Sequence, residues 1–441
     1  HGESEGRFRG LGQEAADTPA THAWVRQLPE CNGRLGVYGF SYQGLTQLTA
    51  AESAPPPECT APAMTGLDER RHWSCEGGAH WWHLGLGWGL QLAALQAQRR
   101  GDATAWLEIR RSLEDNRYLR DGPTLLERHD PEGMAWRWLK NDPSNDQQWT
   151  VHHAPESWLQ RPMLLIGGWW DPHLVGLLDL WHRSQVAGGQ PSLHIGPASH
   201  LQWWPETQQL MLQFFQQHLQ DRPPQEPKPS HQLWNITQHQ WDAIPAPGTS
   251  GPASWGLHSH GLACIDPSDG GLVANGEGEG EGEGSVVIVH DPWRPVPAIG
   301  GHLGTTPGPA DRLAVDQRSD VATFTSDPLV EELLLSGQPS LLLNAEADQP
   351  GFDLCISLSR LPAEANSVEQ LSTGVVRVRG EEALQAARRS VTLQPLQATL
   401  ASGDRLRLSI AAAAWPAIAV NPGHEPEPCG APSPEHPVVT L

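Results

Sequence analysis

Three short apolar runs, each followed closely by glycine, constrain the fold of this chain more than any other feature. They are Arg34–Tyr38, Met163–Ile166 and Ser192–Ile195. Apolar stretches this short, with few polar interruptions, are typical of strands buried on both faces of a parallel sheet. Helices are predicted over Tyr42–Ala51 and, after the third run, from Pro205 until Pro223 and Pro224 end it. The pattern therefore predicts an α/β domain.

A long insert rich in tryptophan and glutamine interrupts this domain. We expect the α/β domain to occupy residues 1–67 and 161–225, and the insert to occupy residues 68–160. Apolar residues recur at helical spacing over Leu84–Arg100 and Ala103–Leu119. The insert is therefore predicted to be a mostly helical cap.

The remaining residues, 226–441, show short β segments separated by glycine and proline. Polar and apolar residues alternate strictly over Asp404–Ile410, which indicates a half-buried strand. Similar strands are predicted at Leu341–Ala345, Asp353–Leu358 and Val375–Val378. Short strands of this kind predict an all-β sandwich of the jelly-roll type. The Gly-Glu repeat from Gly276 to Gly284 can bury no apolar side chain and is predicted to be a solvated loop.

Charge and composition exclude several classes of protein. The 441 residues include 29 basic and 51 acidic side chains, a net charge of −22, so neither nucleic acid nor an anionic membrane surface is expected as a partner. The longest apolar run, Ile410–Val420, spans only 11 residues and contains Pro416, which excludes a membrane span. Six cysteines without a Cys-x-x-Cys pair favour reduced thiols and a cytoplasmic location. Because the chain begins His1-Gly2 rather than with methionine, we expect it to be a piece of a longer protein.

The strongest functional signal is Gly39-Phe40-Ser41-Tyr42-Gln43-Gly44, which joins the first predicted strand to a helix. A glycine-bounded turn at such a junction is typical of a nucleophile elbow, in which strained backbone exposes a serine hydroxyl. The helix N-terminus favours the negative charge that develops during acyl transfer. Gly44 comes three residues after Ser41 rather than two, so the plain Gly-x-Ser-x-Gly pattern is not met.

Two competing constellations are weaker. Gly2-Glu3-Ser4-Glu5-Gly6 fits Gly-x-Ser-x-Gly literally, but no strand precedes it in this chain and two glutamates beside Ser4 disfavour an oxyanion, so we interpret it as a turn. Four side chains can be drawn as metal ligands, namely His72, Cys75, His80 and His83. Their spacing matches no standard zinc module, so no metal is expected.

A serine nucleophile needs a general base, and the base needs an orienting carboxylate. Asp171 follows the second apolar run and His200 follows the third, each after a loop that contains glycine. Both are predicted at the C-terminal ends of parallel strands, where open α/β sheets place their sites. The chain order serine, aspartate, histidine is that of α/β-hydrolases. We therefore predict a triad of Ser41, His200 and Asp171 on a partial α/β-hydrolase sheet.

These residues resemble a family of serine hydrolases that includes cocaine esterase, X-prolyl dipeptidyl aminopeptidase and α-amino-acid ester hydrolase. The elbow within Cys31–Gly44, the acid loop Gly167–Asp171 and the histidine loop Ile195–His200 are similar to those of the family. The resemblance continues at Asp291-Pro292, Pro295–Pro297, Gly300-Gly301, Phe324–Leu329 and Asn421–Gly423. It therefore extends over nearly the whole chain.

The resemblance implies a role for each site residue. Ser41 is the nucleophile, His200 the general base and later acid, and Asp171 the orienting carboxylate. The backbone N–H of Tyr42 is one oxyanion donor, and no cofactor is needed. In the family the other donor is a tyrosine hydroxyl from a region upstream of His1, as are the first strands of the sheet. None of the three tyrosines of this chain matches that donor, so we expect an N-terminally truncated chain.

The resemblance also bears on the substrate. Amino-acid ester hydrolases carry extra carboxylates just after the catalytic aspartate to hold an ammonium group, whereas Pro172-His173 stands there in this chain. This departure favours an ester or amide substrate with an apolar acyl group. Four tryptophans are candidate walls of an acyl pocket, with plain packing as the alternative for each: Trp81, Trp82, Trp169 and Trp170.

Two other functions stay open. An X-Pro dipeptidyl-peptidase would need an anionic pocket near Ser41 to anchor the substrate amine. A non-catalytic protein with a vestigial hydrolase domain would bind sugars or a partner chain through its β-sandwich. The expected partner is a small ester or amide, and a homodimer is left open.

Overall fold

The computed structural model describes residues 10–223, 230–243, 253–274, 284–424 and 428–441. The segment around Ser4 and residues 276–283 of the Gly-Glu repeat lie outside the described residues, so the predictions made for them stay untested. The described ranges contain no helix with both the length and the apolar character that a bilayer crossing requires.

The first part of the chain contains eight strands and nine α-helices among the described residues. In chain order they are α1 (Glu14–Arg26), β1 (Gly36–Phe40), α2 (Tyr42–Thr46), β2 (Cys59–Ala63), β3 (Cys75–Glu76), β4 (Ala79–His80), α3 (Trp82–Arg99), α4 (Ala103–Glu114), α5 (Tyr118–His129), α6 (Met134–Lys140), α7 (Glu156–Leu159), β5 (Leu164–Trp170), α8 (Leu174–Val186), β6 (Ser192–Ser199), α9 (Thr207–Gln220), β7 (His231–Asn235) and β8 (Gln240–Ala243).

Six of these strands form one sheet in the order β1-β2-β5-β6-β7-β8. The pairs are parallel as far as β7, and β8 is antiparallel to β7 at one edge. Leu164 and Ile166 of β5 pack with Phe214 of α9, whereas Leu165 between them packs with Leu177 of α8. Helices cover both faces of the sheet, which is why the strands are continuously apolar. The prediction of a parallel α/β domain is confirmed.

Strands β5 and β6 continue through Gly168 and Gly196, which were predicted to lie in loops. A Cβ atom on Gly168 would lie 2.3 Å from the backbone oxygen of Ala198 in β6, and one on Gly196 would lie 2.2 Å from the ring of Trp204. These glycines allow close packing within and onto the sheet rather than ending the strands, so the predicted strand ends were wrong. Asp171 and His200 each follow directly after the last residue of a strand.

Helices α3 to α6 lie in the insert that was predicted to be a mostly helical cap, and the insert is called the cap below. Helix α4 begins after Asp102, whose carboxylate accepts a hydrogen bond from the Ala105 N–H at 3.0 Å. The second predicted helix ends earlier than expected, because Asn116 adopts a left-handed backbone (φ 56°) and α5 begins at Tyr118. The hairpin of β3 and β4 leads into the cap, and its Gly77 carbonyl accepts a hydrogen bond from the N–H of Arg377 in the C-terminal part.

The C-terminal part is mostly β structure. Its elements are β9 (Trp255–His258), β10 (Gly271–Ala274), β11 (Val289–His290), α10 (Leu313–Asp316), β12 (Val321–Thr325), β13 (Leu333–Gly337), β14 (Ser340–Ala345), β15 (Gly351–Leu361), β16 (Glu369–Arg379), β17 (Ala387–Thr392), β18 (Leu396–Leu400), β19 (Arg405–Ala411) and β20 (Val439–Thr440). One sheet has the order β16-β15-β19-β12-β10-β9, and β13 pairs with β18 and β14 with β17. Phe352 and Ile356 of the sheet share a core with Val391 and Ala398 of these ladders. The predicted β domain is thereby confirmed at the level of its fold class.

The predicted boundary between residues 225 and 226 needs correction. Strands β7 and β8 come after it, yet β7 pairs in parallel with β6, with Ile195 opposite Leu233. The α/β sheet therefore continues to Ala243. Sequence alternation could not reveal this, because an edge strand of either domain shows the same local pattern.

Candidate active site

Ser41 occupies a strained turn between β1 and α2. Its backbone has φ 58° and ψ −128°, a region that residues other than glycine rarely adopt. The Ser41 N–H lies 3.0 Å from the Ala63 carbonyl and 3.2 Å from the Met64 carbonyl, both at the end of β2. The neighbouring strand therefore holds the turn in place, which is the geometry expected of a nucleophile elbow.

Steric crowding explains why two positions of this segment are glycine. A Cβ atom on Gly39 would lie 2.6 Å from the Cβ of Gln43, and one on Gly44 would lie 2.8 Å from the Cβ of Thr65. Gly44 therefore packs closely against Thr65, in the chain after β2. The second glycine comes three residues after Ser41 because residue 44 is the position of the short helix that lies against Thr65.

The structure brings Ser41, His200 and Asp171 together. The Ser41 Oγ lies 2.9 Å from His200 Nε2, and His200 Nδ1 lies 2.6 Å from Asp171 Oδ1. Asp171 is fully buried, whereas 20% of the His200 side chain is exposed. The other carboxylate oxygen of Asp171, Oδ2, accepts a hydrogen bond from the backbone N–H of His173 at 3.1 Å. Because the carboxylate accepts from Nδ1, Nε2 is free of a proton in the neutral ring and can accept the serine proton.

Two rings flank the imidazole of His200. The ring centroid of Phe40 lies 5.5 Å from that of His200, and the ring centroid of His173 lies 4.9 Å from it. Trp203 donates its indole N–H to the His200 carbonyl at 3.2 Å. His200 is therefore held by contacts of its ring and of its backbone.

His173 is a buried, uncharged neighbour of this group. Its Nδ1 lies 2.6 Å from the backbone carbonyl of His72, and because a carbonyl only accepts, Nδ1 carries the hydrogen. Burial lowers the pKa of His173 to about 4, despite the nearby charge of Asp171, which raises it. The ring is therefore neutral at pH 7.

The tyrosines of the chain lie in separate places. The Tyr42 hydroxyl donates to Glu14 and accepts from the Leu11 N–H, and burial together with Glu14 raises the pKa of this phenol. Tyr38 is exposed beside Phe215, and Tyr118 begins helix α5 in the cap. The backbone N–H of Tyr42 is in the first turn of α2, next to Ser41. Its role as an oxyanion donor remains a prediction, and none of the three phenols is assigned as the second donor.

The four tryptophans expected at a pocket divide by their surroundings. Trp81 is buried with its ring centroid 5.8 Å from that of His173, the neighbour of His200. Trp82 packs into the cap core and donates its indole N–H to the Leu119 carbonyl. Trp169 packs into the sheet core, and Trp170 packs against the same core while partly exposed. Packing therefore accounts for Trp82 and Trp169, which is the alternative left open for them.

The candidate metal ligands have separate partners. The side chains concerned are His72, Cys75, His80 and His83. His80 and His83 each direct Nε2 to a backbone carbonyl, that of Trp138 and that of Leu303. Among the described residues, the group found with metal-like proximity is Asp171, His173 and His200, whose ligand atoms lie within 4.8 Å of one another. In that group Asp171 and His200 are hydrogen-bonded to each other and His173 is bonded to a backbone carbonyl, which suits proton transfer.

Sequence reasoning missed the contacts of three residues near His200 and its neighbour His173. Phe40, Trp73 and the ring of His173 all belong to this cluster, and the ring centroid of Trp73 lies 4.3 Å from that of His173. Phe40 is adjacent to Ser41 and His173 is two residues after Asp171, so proximity in sequence was an available signal. Trp73 carried no such signal, because it comes from the start of the insert.

Comparison with known sequences agrees with this architecture. The X-Pro dipeptidyl-peptidase (S15 family) profile matches residues 1–202, and the profile of the X-Pro dipeptidyl-peptidase C-terminal non-catalytic domain matches residues 202–439. Cocaine esterase from Rhodococcus sp. (strain MB1 Bresler) is 26% identical over 420 residues, which cover 86% of this chain and 71% of that protein.

Solved structures share the fold over almost the whole chain. An aminopeptidase from a marine sediment Thaumarchaeota archaeon has a TM-score of 0.71 at 20% identity, covering 99% of this chain and 79% of its own. An α-amino acid ester hydrolase has a TM-score of 0.63 at 18% identity, covering 97% of this chain and 77% of its own. Both family profiles together span the α/β part and the β part. The chain therefore belongs to the X-Pro dipeptidyl-peptidase family and is a serine hydrolase of the esterase and peptidase type.

Proposed function

We propose that this protein cleaves carboxylic esters through an acyl-enzyme formed on Ser41, with His200 as the acid–base group and Asp171 as the orienting carboxylate. The observation that carries the proposal is the continuous hydrogen-bonded path from Ser41 Oγ to His200 Nε2 and from His200 Nδ1 to Asp171, at 2.9 and 2.6 Å. Both distances are within the reach that direct proton transfer requires. The strained backbone of Ser41 supports the same assignment.

In the acylation step, Ser41 Oγ attacks the ester carbonyl carbon while His200 Nε2 takes the hydroxyl proton. The imidazolium that forms keeps its Nδ1–H on Asp171, which stabilises the positive charge. The carbonyl oxygen becomes an oxyanion, and we assign the backbone N–H of Tyr42, in the first turn of α2, as a donor to it. Collapse of the tetrahedral intermediate breaks the bond to the alkoxy oxygen, and Nε2–H protonates the leaving alcohol.

In the deacylation step, water replaces the alcohol. His200 Nε2 removes a proton from this water, its oxygen attacks the acyl carbon, and a second tetrahedral intermediate forms. The bond between acyl carbon and Ser41 Oγ then breaks, and Nε2–H returns the proton to Ser41. One ester and one water give one acid and one alcohol, and the enzyme is unchanged.

The surroundings of the triad favour an uncharged, apolar acyl group. The side chains beside His200 and His173 are aromatic, with Phe40, Trp73 and Trp81 within ring-contact distance of one of them. The carboxylate of Asp171 already accepts hydrogen bonds from His200 and from the His173 backbone. A substrate ammonium group that bound to Asp171 would therefore compete with His200 for that carboxylate.

Release of X-Pro dipeptides is the second candidate. It is favoured by the family profile that matches residues 1–202, which is described by that activity. The same triad would serve, because amide and ester hydrolysis share the acyl-enzyme route. The two candidates differ in the need for an anionic group that binds a free α-amine.

Labelling with a fluorophosphonate probe tests the nucleophile, and parallel assays test the substrate. We expect the parent to label and Ser41→Ala to lose labelling. Ser4→Ala, which alters the serine that fits Gly-x-Ser-x-Gly literally, serves as the matched control and is expected to label like the parent. Equal labelling of Ser41→Ala and the parent would contradict the assignment. Turnover of p-nitrophenyl butyrate and of Gly-Pro p-nitroanilide, measured side by side, separates esterase from dipeptidyl-peptidase activity.

A further inference from the structure

His173 contacts both members of the acid–base pair, although it is not itself in the path of the proton. It is the residue before helix α8, two positions after Asp171. Its backbone N–H donates to Asp171 Oδ2 at 3.1 Å, and its ring lies against that of His200 with 4.9 Å between centroids and 55° between planes. One residue therefore limits the orientation of the carboxylate and of the imidazole.

The ring of His173 is itself held from a different part of the chain. Its Nδ1–H is directed to the His72 carbonyl at 2.6 Å, and His72 belongs to the segment that leads into the cap. Trp73 packs against the same ring with 4.3 Å between centroids, and Trp81 approaches it edge-on at 5.8 Å. The His173 side chain is 5% exposed. This environment leaves the ring little freedom to turn.

Phe40 makes a second aromatic contact with His200. Its ring lies 5.5 Å from that of His200 and 5.6 Å from that of Trp203, centroid to centroid. His200 therefore has a fixed neighbour in His173 and a second aromatic neighbour in Phe40. A productive triad requires the imidazole to present Nε2 to Ser41 and Nδ1 to Asp171 at once, and small misplacements of such groups are costly.

We propose that His173 is a positioning residue for His200, whose ring holds the imidazole of His200 in the orientation that joins Ser41 to Asp171. The proposal rests on the triad mechanism above. Its backbone bond to Asp171 Oδ2 maintains the carboxylate, and its bond to the His72 carbonyl maintains the ring. His173 itself exchanges no proton with the substrate.

Three variants separate positioning from folding. His173→Ala removes the ring and the bond to His72. His173→Asn keeps a side-chain N–H that can donate to the His72 carbonyl but removes the ring. His173→Phe keeps a ring against His200 but loses the donor. His182→Ala, at an exposed position of helix α8, which follows His173, is the matched control.

We expect His173→Ala to lower kcat for p-nitrophenyl butyrate by roughly 10- to 100-fold, with KM changed less than about threefold, because orientation rather than binding is lost. The rate of fluorophosphonate labelling should fall in parallel. His173→Phe should recover most of the rate, and His173→Asn should recover the melting temperature but not the rate. His182→Ala should behave like the parent.

Other results would overturn the proposal. Parent-like kcat and labelling in His173→Ala, or a parent-like rate in His173→Asn, would show that the ring does not position His200. A rate as low in His173→Phe as in His173→Ala, at an equal melting temperature, would do the same. Failure of the triad assignment is distinguished by the Ser41→Ala variant, which would still be labelled if Ser41 were not the nucleophile, whatever the His173 variants show.

Discussion

The buried ring of His173 makes the stability of this protein depend on pH in a calculable way. The pKa of His173 is lowered by burial to about 4 in the folded protein, from 6.5 for an ordinary histidine. The unfolded chain therefore binds more protons at this residue between these two values, and folding stability rises with pH across that window. The stability that the neutral His173 ring contributes is fully present above pH 6.5, decreases as the pH falls, and is lost as the pH falls through 4.

The size of the effect follows from the two pKa values. At pH 4.5, protonation of His173 in the unfolded chain lowers the free energy of unfolding by roughly 2.5 kcal/mol. Below pH 4 this reduction reaches a limit of about 3 kcal/mol. His173→Asn removes the titration but keeps a donor for the His72 carbonyl at 2.6 Å. We therefore expect the variant to lose less stability than the parent on acidification, by roughly 2.5 kcal/mol between pH 7 and pH 4.5.

Urea unfolding followed by tryptophan fluorescence at pH 7 and pH 4.5 measures this difference. The relevant quantity is the change in unfolding free energy between the two pH values, compared between parent and variant. His182→Asn, at an exposed position of α8, controls for the loss of a histidine as such. If the parent and His173→Asn lose the same stability on acidification, burial does not lower the pKa of His173 in the way described.

Three further perturbations follow from the structure. Asp171→Asn should lower kcat by roughly 10⁴-fold while the melting temperature stays within a few degrees, because the amide supports the wrong histidine tautomer; a fall below tenfold in ester turnover would contradict this. Glu69→Gln should destabilise the protein by about 1–3 kcal/mol in thermal unfolding, since the buried carboxylate accepts a hydrogen bond from Arg137 at 2.8 Å, and Glu69→Ala should cost at least as much. Gly44→Val should lower the melting temperature and the fluorophosphonate labelling rate together, because even a Cβ would lie 2.8 Å from that of Thr65; a parent-like labelling rate would show that α2 can shift without disturbing the elbow.

Much of the candidate site could be predicted because its residues carry local signals. Ser41 lies in a glycine-bounded segment between a strand and a helix, and Asp171 and His200 come directly after buried strands. Parallel strands place their carboxyl ends at one edge of a sheet, so chain order and strand pattern together predict the convergence of these side chains. The three do converge, through contacts of 2.9 and 2.6 Å.

Other parts of the site had no local signal. His173 was visible only as a departure from a family pattern, and its role depends on His72, which lies 101 residues away along the chain. Likewise, Gly168 and Gly196 looked like loop residues, because glycine usually weakens a strand. Glycine is required at these positions because Ala198 of the neighbouring strand, at Gly168, and the ring of Trp204, at Gly196, are too close to admit a Cβ atom.

The sequence by itself determined the fold class, the family and the candidates for the reacting groups, because periodic burial, turn residues and short motifs are properties of neighbouring positions. The tertiary structure alone decided that β7 and β8 extend the first sheet, that Trp82 and Trp169 point into cores, and that His173 lies against His200. These outcomes depend on which distant surfaces meet. A linear pattern shows that a residue is buried, but not against which partner it is buried.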